Sequence, residues 1–253
     1  MSRPVHIVAI AGRISLGGKT ALCISLAAHY LRDDRRVLVV DLDPRGIASM
    51  VLGVPAGEAD GEHLAAVLNG QDEPKPTTMP CGLQLLAGGP ALATLDNPLP
   101  LRDALNVLLD GVEVQVVLVD CPPGHPTLDM LALNAVAPAG AVLVATEHHR
   151  LGFTWAARVL EETKALLPSR RCAKVVGRLD EGRTLDRAFM EELVARPDPE
   201  VLTIHEDTAL AAALNRGCLP PEQGAAADDV REVAKWLNIW GPRWVWRGEA
   251  PNQ

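Results

Sequence analysis

Short, continuous apolar runs that alternate with helical segments constrain the fold of this chain most. The clearest runs are VHIVAIAG at 5–12, RVLVVD at 36–41, VQVVLVD at 114–120 and a run at 140–145. Unbroken hydrophobicity of this length predicts strands that are buried on both faces, as in parallel sheets. Weaker strands are expected at 83–87, 174–177 and 201–204.

Helical patterns separate these runs. Helices are expected over 19–32, 61–69, 101–110, 127–137, 152–167, 185–195, 208–215 and 228–237. Repeated strand–helix alternation implies right-handed crossovers between parallel strands. The sequence therefore predicts an α/β fold with a doubly wound, mostly parallel sheet flanked by helices.

The composition excludes several classes of protein. Of 253 residues, 48% are hydrophobic and 22% charged, which excludes a disordered chain. The net charge of −8 excludes a generally basic nucleic-acid binder, although a local basic patch is compatible with it. The five cysteines are scattered and form no CxxC pair, which argues against a disulfide framework or a zinc site.

One domain is expected over residues 1–240, followed by a tail over 241–253. The C-terminal segment WLNIWGPRWVWRGEAPNQ carries four of the five tryptophans, and Pro242 interrupts any helix through it. Packing of the tail back onto the domain is preferred over partner docking or a membrane contact. The sequence contains no apolar run of 18 residues and begins without the pattern of a signal peptide, so a cytoplasmic location is expected.

A candidate phosphate-binding loop, AGRISLGGKT at 11–20, follows the first predicted strand. In such a loop the backbone N–H groups and the helix N-terminus hold phosphates, Lys19 reaches the outer phosphates, and Thr20 ligates magnesium. The usual spacing places the first glycine at position 13, which is Arg13 here, whereas Gly12 lies one residue early. Taken alone, the motif is also compatible with a glycine-containing turn followed by a surface lysine.

Aspartates end two further strands. Asp41 and Asp43 lie in VVDLDPRG at 39–46, and Asp120 lies in LVDCPPG at 118–124. The carboxyl ends of parallel strands border the crevice where ligands of such sheets bind. Carboxylates there can position an attacking water or lie near a magnesium ion. Each pattern alone also fits a strand followed by a turn, but three motifs in this order indicate a phosphate- and metal-binding site.

GGKT, VVDLDPRG and VLVDCPPG together resemble the ParA/MinD family of deviant Walker A P-loop ATPases. LALNAVAPAGAVLVATE and LNRGCLP are similar to later parts of that family, so the resemblance covers about residues 1–237. The DLDPRG and DCPP stretches are most similar to ParA-type partition and positioning ATPases. The resemblance implies a SIMIBI-type P-loop fold, binding of ATP and Mg²⁺, a homodimer formed with ATP, and slow, partner-stimulated hydrolysis.

The resemblance also assigns roles to residues. Asp43 and Lys19 are implied as catalytic, with Asp43 positioning the hydrolytic water. The residues implied near magnesium are Thr20, Asp43 and Asp120. The implied nucleotide contacts are Ser15, Leu16, Gly17, Gly18, Lys19, Thr20, Ala21, Asp41, His205 and Asp207.

The loop departs from the family pattern K-G-G-x-G-K-T. The family's signature lysine, which reaches the phosphates of the partner subunit, is replaced by Ile14, and two glycines are also replaced. Some carboxysome-positioning relatives lack this lysine too. Arg150 is preferred over Arg13 as a substitute intersubunit phosphate contact, because Arg150 follows a strand end beside the crevice, whereas Arg13 would need a rearranged loop. The planar fork of an arginine suits two-point contact with phosphate better than the point charge of a lysine.

The family's partners are DNA and an adaptor. Nonspecific DNA binding, a ParB-like or cargo adaptor protein and association with a prokaryotic nucleoid are implied. The candidate DNA contacts are Arg170, Arg171, Arg178 and Arg183, although interleaved acidic residues make a solvated face the alternative. Because the signature lysine is replaced, one alternative function remains: a nucleotide-binding regulator or scaffold with negligible hydrolysis. A second alternative, a MinD-like membrane-cycling ATPase, is supported by the C-terminal tail alone. No membrane partner is therefore expected.

Overall fold

The computed structural model describes residues 5–12, 18–55, 58–96, 98–111, 113–136, 140–147, 150–164, 172–195 and 201–239. Its strands are β1 His6–Ala11, β2 Val37–Asp41, β3 Thr77–Thr78, β4 Gln84–Leu86, β5 Val116–Asp120, β6 Ala141–Thr146, β7 Cys172–Leu179 and β8 Val201–His205. Its α-helices are α1 Lys19–Arg32, α2 Ile47–Val51, α3 Glu62–Leu68, α4 Leu101–Gly111, α5 Pro126–Val136, α6 Arg150–Lys164, α7 Thr184–Ala195, α8 Thr208–Asn215 and α9 Ala225–Ile239.

These strands form one sheet with the order β3-β4-β2-β5-β1-β6-β7-β8. Every described pairing is parallel except that of β3 with β4. Each residue of β2 and β5 is buried, as the unbroken apolar runs predict for strands covered on both faces. The predicted doubly wound parallel sheet is confirmed.

Helices cover both faces of the sheet. One buried cluster joins side chains of β1, β2 and β5 to α3, α4, α5 and α6, including Leu64, Leu105 and Leu131. The other joins the opposite face to α1 and α9, including Leu22, Leu26 and Val233. Because each helix buries one apolar stripe against a strand layer, the result is a three-layer α/β/α sandwich.

The sheet has its topological switch beside β1. Strands β2 to β4, which follow β1, lie on one side of it, whereas β6 to β8, which follow β5, lie on the other. In open α/β sheets ligands bind outside the carboxyl ends of the strands at such a switch. This edge carries the ends of β1, β2 and β5, where the sequence motifs lie.

The expected helices and strands are present, with boundaries that differ by a few residues. The helix expected at 152–167 begins at Arg150, and β7 extends the expected 174–177 to Cys172–Leu179. Helix α2, strand β3 and a 3₁₀ turn at Pro90–Thr94 were not expected from the sequence. The segment 241–253 lies outside the described residues.

All five cysteines are free, three of them buried and two exposed. In the part of the chain that the structure describes, none of the helices combines the length and the apolar character needed to cross a bilayer.

Candidate functional site

The turn from β1 to α1 is shaped by close backbone packing. Gly12 follows β1, and a Cβ on it would lie 2.5 Å from the carbonyl oxygen of Ala145 on β6, so only glycine fits there. Gly18 has a φ of 72° and precedes α1, with its carbonyl accepting the backbone N–H of Leu22 at 2.8 Å. Gly12 and Gly18 therefore allow the chain to leave β1 and enter α1 in a tight space.

Lys19 is the first residue of α1 and is only 4% exposed. Its aliphatic stem passes beside Gly12, since Cδ would lie 3.5 Å from a Cβ on that glycine. Burial lowers the pKa of Lys19, and the nearby carboxylate of Asp120 opposes that shift. An ammonium group at a helix N-terminus within a buried site has the arrangement needed to hold an anion.

Thr20 and Asp120 join α1 to the end of β5. The hydroxyl of Thr20 donates a hydrogen bond of 2.7 Å to Oδ2 of Asp120. Asp120 is fully buried, and its other oxygen, Oδ1, has no hydrogen-bond partner among the described residues. Burial raises the pKa of Asp120, and the neighbouring charge of Asp41 adds to the shift. An unpartnered buried carboxylate oxygen calls for a further ligand, such as a cation or its water.

Asp41 lies beside Asp120 on the neighbouring strand, where the two residues are register partners. Both of its oxygens accept hydrogen bonds from the chain that follows. Oδ1 accepts from the backbone N–H of Asp43 at 3.0 Å, and Oδ2 accepts from the backbone N–H and the hydroxyl of Ser49 at 2.9 and 2.7 Å. The Ser49 hydroxyl in turn accepts from the N–H of Gly88 at 2.9 Å. Asp41 thus anchors the loop that carries Asp43, although burial raises its pKa.

Asp43 is buried at the first position of a tight turn. Its carbonyl accepts the N–H of Gly46 at 2.8 Å, as the sequence Asp-Pro-Arg-Gly favours for a type I turn. Its carboxylate accepts the backbone N–H of Arg45 at 2.9 Å, and the Arg45 guanidinium contacts both oxygens. The structure therefore brings Asp43 to the same edge of the sheet as Asp41 and Asp120.

A cavity of about 180 Å³, hereafter the α1 cavity, opens beside the phosphate-binding loop. Gly18 and Ala21 line it from the start of α1, His205 lines it from the end of β8, and Asp207 lines it from the turn that follows. Most of the remaining wall is apolar, for example Leu22, Val175 and Ile204. The structure thus brings together four residues that the family resemblance implies as nucleotide contacts.

The side chains of His205 and Asp207 are already engaged within the fold. Nδ1 of His205 lies 2.8 Å from Oδ2 of Asp229, and Asp207 caps α8 by accepting the backbone N–H groups of Ala209 and Leu210. Their structural roles fix the turn that closes the α1 cavity.

Several predicted site residues lie outside the described part of the chain. These are Arg13, Ser15, Leu16, Gly17, Arg170 and Arg171. Arg150 begins α6 after the carboxyl end of β6, on the same edge of the sheet as the site, but its side chain is outside what the structure describes.

Arg178 and Arg183 lie in a cluster of mixed charge. Arg183 contacts Glu206 at 2.6 Å, and Arg178 lies 3.8 Å from Glu206 and 3.9 Å from Glu147. Arg178 also lines the α1 cavity and has a φ of 63°. The two arginines predicted to contact DNA are therefore close to one another and share an acidic partner.

The residues present fit a magnesium-bound nucleotide. Magnesium is commonly held by one or two carboxylates together with substrate phosphates and water, rather than by a full set of protein ligands. The unpartnered Oδ1 of Asp120 and the adjacent Thr20 hydroxyl supply such a partial set. In the described ranges, no group of three His, Cys, Asp or Glu forms a complete metal site.

Sequence reasoning did not identify three supporting residues. Arg45 binds Asp43, Ser49 donates to Asp41, and the N–H of Gly88 donates to the Ser49 hydroxyl. Arg45 lies within the DLDPRG motif, and Gly88 lies in a Gly-Gly-Pro segment, so both were visible as local patterns. Their partners depend on how the loops fold back over β2, which no spacing rule reveals.

Comparison with known proteins identifies the family of this chain. The family described as AAA domain matches residues 5–169. The chromosome partitioning protein ParA of Myxococcus xanthus is 35% identical over 149 residues, which cover 55% of this chain and about half, 51%, of that protein. The chromosome-partitioning ATPase Soj of Thermus thermophilus is 36% identical over 195 residues, which cover 72% of each chain.

Solved structures share the fold. MinD of Pyrococcus horikoshii complexed with Mg-ADP has a TM-score of 0.72 at 21% identity, covering 93% of this chain and 98% of that one. A Cyanothece McdA–ATP complex has a TM-score of 0.72 at 17% identity, covering 92% and 96%. Cobyrinic acid a,c-diamide synthase of Mycobacterium smegmatis with ADP and magnesium has a TM-score of 0.68 at 24% identity, covering 95% and 98%. With the sequence matches above, the chain therefore belongs to the ParA/MinD family of P-loop ATPases.

Proposed function

We propose that this chain is a Mg²⁺-dependent, ParA-type ATPase that positions a chromosome, plasmid or protein cargo. The observation that carries the proposal is the hydrogen bond from Thr20, at the N-terminus of α1, to the buried Asp120, whose Oδ1 has no hydrogen-bond partner among the described residues. A pair of this kind beside a lysine matches a site for a cation and phosphates. The relatives named for chromosome partitioning support the biological role.

Different residues of this chain bind the nucleotide and promote its hydrolysis. When bound, Mg-ATP supplies the phosphoryl group to be transferred and a cation that neutralises charge on it. Lys19 holds the outer phosphates, while Thr20 and Asp120 hold the cation and its water. Asp43 orients the attacking water, and the α1 cavity accepts the base against its apolar wall.

Asp43→Ala tests the hydrolytic part of the proposal. Orienting a water stabilises the transition state rather than the bound ground state. The variant should bind ATP like the wild type and lose about 100-fold in turnover, measured by phosphate release with and without magnesium. Parallel loss of binding and turnover would show that Asp43 holds the loop or the metal instead. A wild-type protein that binds ATP without hydrolysing it would favour the regulator or scaffold role.

The dimeric state is a second part of the proposal. Facing nucleotides in an ATP-dependent dimer repel one another, and Ile14 cannot supply the cation that the family's signature lysine provides. We expect Arg150, rather than Arg13, to reach the partner's phosphates. Light scattering on Asp43→Ala with ATP and magnesium should show a dimer that Arg150→Ala weakens. A monomer at micromolar concentration contradicts the dimer, and persistence in both arginine variants contradicts their role.

Nonspecific DNA binding completes the proposal. Binding through the basic residues of the 170–187 stretch should not depend on sequence and should weaken steeply with salt. Arg178→Glu combined with Arg183→Glu should abolish it in a filter-binding assay with ATP present. Binding that does not respond to salt, or no DNA binding by the wild type, would point to a protein adaptor as the sole partner.

A further inference from the structure

Ser25 brings a buried hydroxyl to the residues that line the α1 cavity. Ser25 lies on α1, is 5% exposed, and lines the α1 cavity. Among the described residues, its Oγ has no hydrogen-bond partner. Burying a hydroxyl without a partner is costly, so such groups in folded proteins are normally satisfied by a ligand or an ordered water.

The position of Ser25 along α1 suits a particular part of a nucleotide. Gly18, Ala21, Leu22 and Ser25 all line the α1 cavity, and their spacing places them on one face of the helix. Seven residues separate Ser25 from Gly18, which corresponds to about 10 Å along the helix axis. This distance is comparable with that between the outer phosphates and the base of a nucleoside triphosphate.

The polar side chains of the α1 cavity differ in how far they are already engaged. Nδ1 of His205 lies 2.8 Å from Oδ2 of Asp229, whereas its Nε2 has no hydrogen-bond partner among the described residues and lies 3.6 Å from a carboxylate oxygen of Glu181. Asp207 caps α8, and Arg178 lies near Glu147 and Glu206. Both Oγ of Ser25 and Nε2 of His205 therefore offer unused hydrogen-bonding capacity, and Ser25 is the one that lies on α1, the helix that begins at Lys19.

We propose that Ser25 is a specificity-determining residue that hydrogen-bonds the base of the nucleotide whose phosphates Lys19 holds. The inference rests on the proposed function. A serine hydroxyl both donates and accepts, so it can pair with a ring nitrogen or with an exocyclic group on the edge of a base. The flat ring lies against the apolar side chains of the cavity, which contribute area but no orientation, while the hydroxyl fixes the orientation.

A water molecule is the alternative hydrogen-bond partner of the Ser25 hydroxyl, and the experiment distinguishes it from a nucleotide base. Ser25 also borders a smaller cavity of about 120 Å³, which His29 and Arg32 line from α1 and Arg231 lines from α9. A water in that cavity would satisfy the hydroxyl without contacting a nucleotide. In that case the hydroxyl would serve the fold alone, and its removal would affect stability instead of base recognition.

The experiment compares ATP with tripolyphosphate, which lacks the base and ribose, by calorimetry in the presence of magnesium. Ser25→Ala should raise the Kd for ATP roughly 3- to 10-fold, as the loss of one neutral hydrogen bond does, and leave the Kd for tripolyphosphate unchanged. The urea midpoint of the ligand-free variant should equal or exceed that of the wild type. Ser25→Thr and Ser25→Val, which match in shape, should differ in ATP affinity in favour of threonine.

The possible results distinguish failure of the role proposed for Ser25 from failure of the proposed ATPase function. Equal weakening of both ligands, or no weakening of ATP, overturns the role of Ser25. A lower urea midpoint with unchanged ATP binding shows that a water holds the hydroxyl and also overturns it. If the wild type binds neither ligand, the proposed function fails and this inference fails with it, whereas normal ATP binding by Ser25→Val contradicts this inference alone.

Discussion

The guanidinium of Arg45 engages both carboxylate oxygens of Asp43, with Nη2 2.6 Å from Oδ2 and Nε 3.0 Å from Oδ1. Asp43 is 2% exposed in its side chain, whereas Arg45 is 48% exposed. A carboxylate held in this two-point arrangement has fewer lone pairs left to orient a water. In the arrangement described by the structure, Arg45 therefore restrains the residue proposed to position the nucleophile.

Arg45→Ala should raise basal ATP turnover by a few-fold, because Oδ2 of Asp43 becomes available to water while Oδ1 keeps the backbone N–H of residue 45. The same change should lower the free energy of unfolding by about 1 kcal/mol, since a buried carboxylate loses its partner. Steady-state phosphate release and urea unfolding measure the two effects. Arg36→Ala, which removes another exposed arginine away from the site, should change neither turnover nor its metal dependence. Reduced turnover in Arg45→Ala would mean that Arg45 itself assists hydrolysis.

Asp120→Asn should separate stability from function. Burial raises the pKa of Asp120, so the folded protein binds more protons than the unfolded chain above the ordinary carboxyl pKa of about 4. The stability of the ligand-free protein should therefore fall as the pH rises from about 4 through neutrality, and the variant should show a shallower fall. At neutral pH the variant should unfold at a higher urea concentration while binding Mg-ATP more weakly.

The exposed Asp110 on α4 supplies the control for this comparison, because Asp110→Asn removes the same charge away from the site. Its stability profile against pH should follow that of the wild type. An Asp120→Asn profile as steep as the wild type's would contradict the buried, charge-disfavouring environment of Asp120.

Arg178 combines a left-handed backbone conformation with a bulky side chain, at a φ of 63°. Glycine adopts this region without the steric penalty of about 1 kcal/mol that other residues meet. Arg178→Gly should therefore be more stable than Arg178→Ala by about 1 kcal/mol in urea unfolding. The order should reverse at the exposed Arg187 on α7, where glycine costs about 1 kcal/mol relative to alanine. Equal stability of the two Arg178 variants would contradict the strain.

The architecture and the principal acidic residues could be predicted because they follow from local patterns. Continuous apolar runs define β1, β2 and β5, and in a parallel sheet the motif residues after those runs must reach one edge. Thr20 and Asp120, both expected near magnesium from the family resemblance, are joined by a hydrogen bond.

The contacts that tune the site could not be predicted in this way. Arg45 adjoins Asp43 in sequence, yet its two-point contact depends on the turn geometry. In the sequence, Ser25 is an ordinary serine within a predicted helix. That its buried hydroxyl lacks a partner follows only from the packing of β7, β8 and α9 around the α1 cavity. The placement of Arg178 beside that cavity likewise depends on the irregular pairing of β7 with β8.

Calorimetric titration of ATP into the protein, with magnesium and with a chelator, tests the central claim most directly. The wild type should bind ATP in a magnesium-dependent manner. Lys19→Ala should abolish that binding, because it removes the buried ammonium group that holds the outer phosphates. Lys235→Ala, which removes an exposed lysine on α9, should bind like the wild type. Unchanged ATP affinity in Lys19→Ala, or binding by the wild type that ignores magnesium, would contradict the assignment of this site.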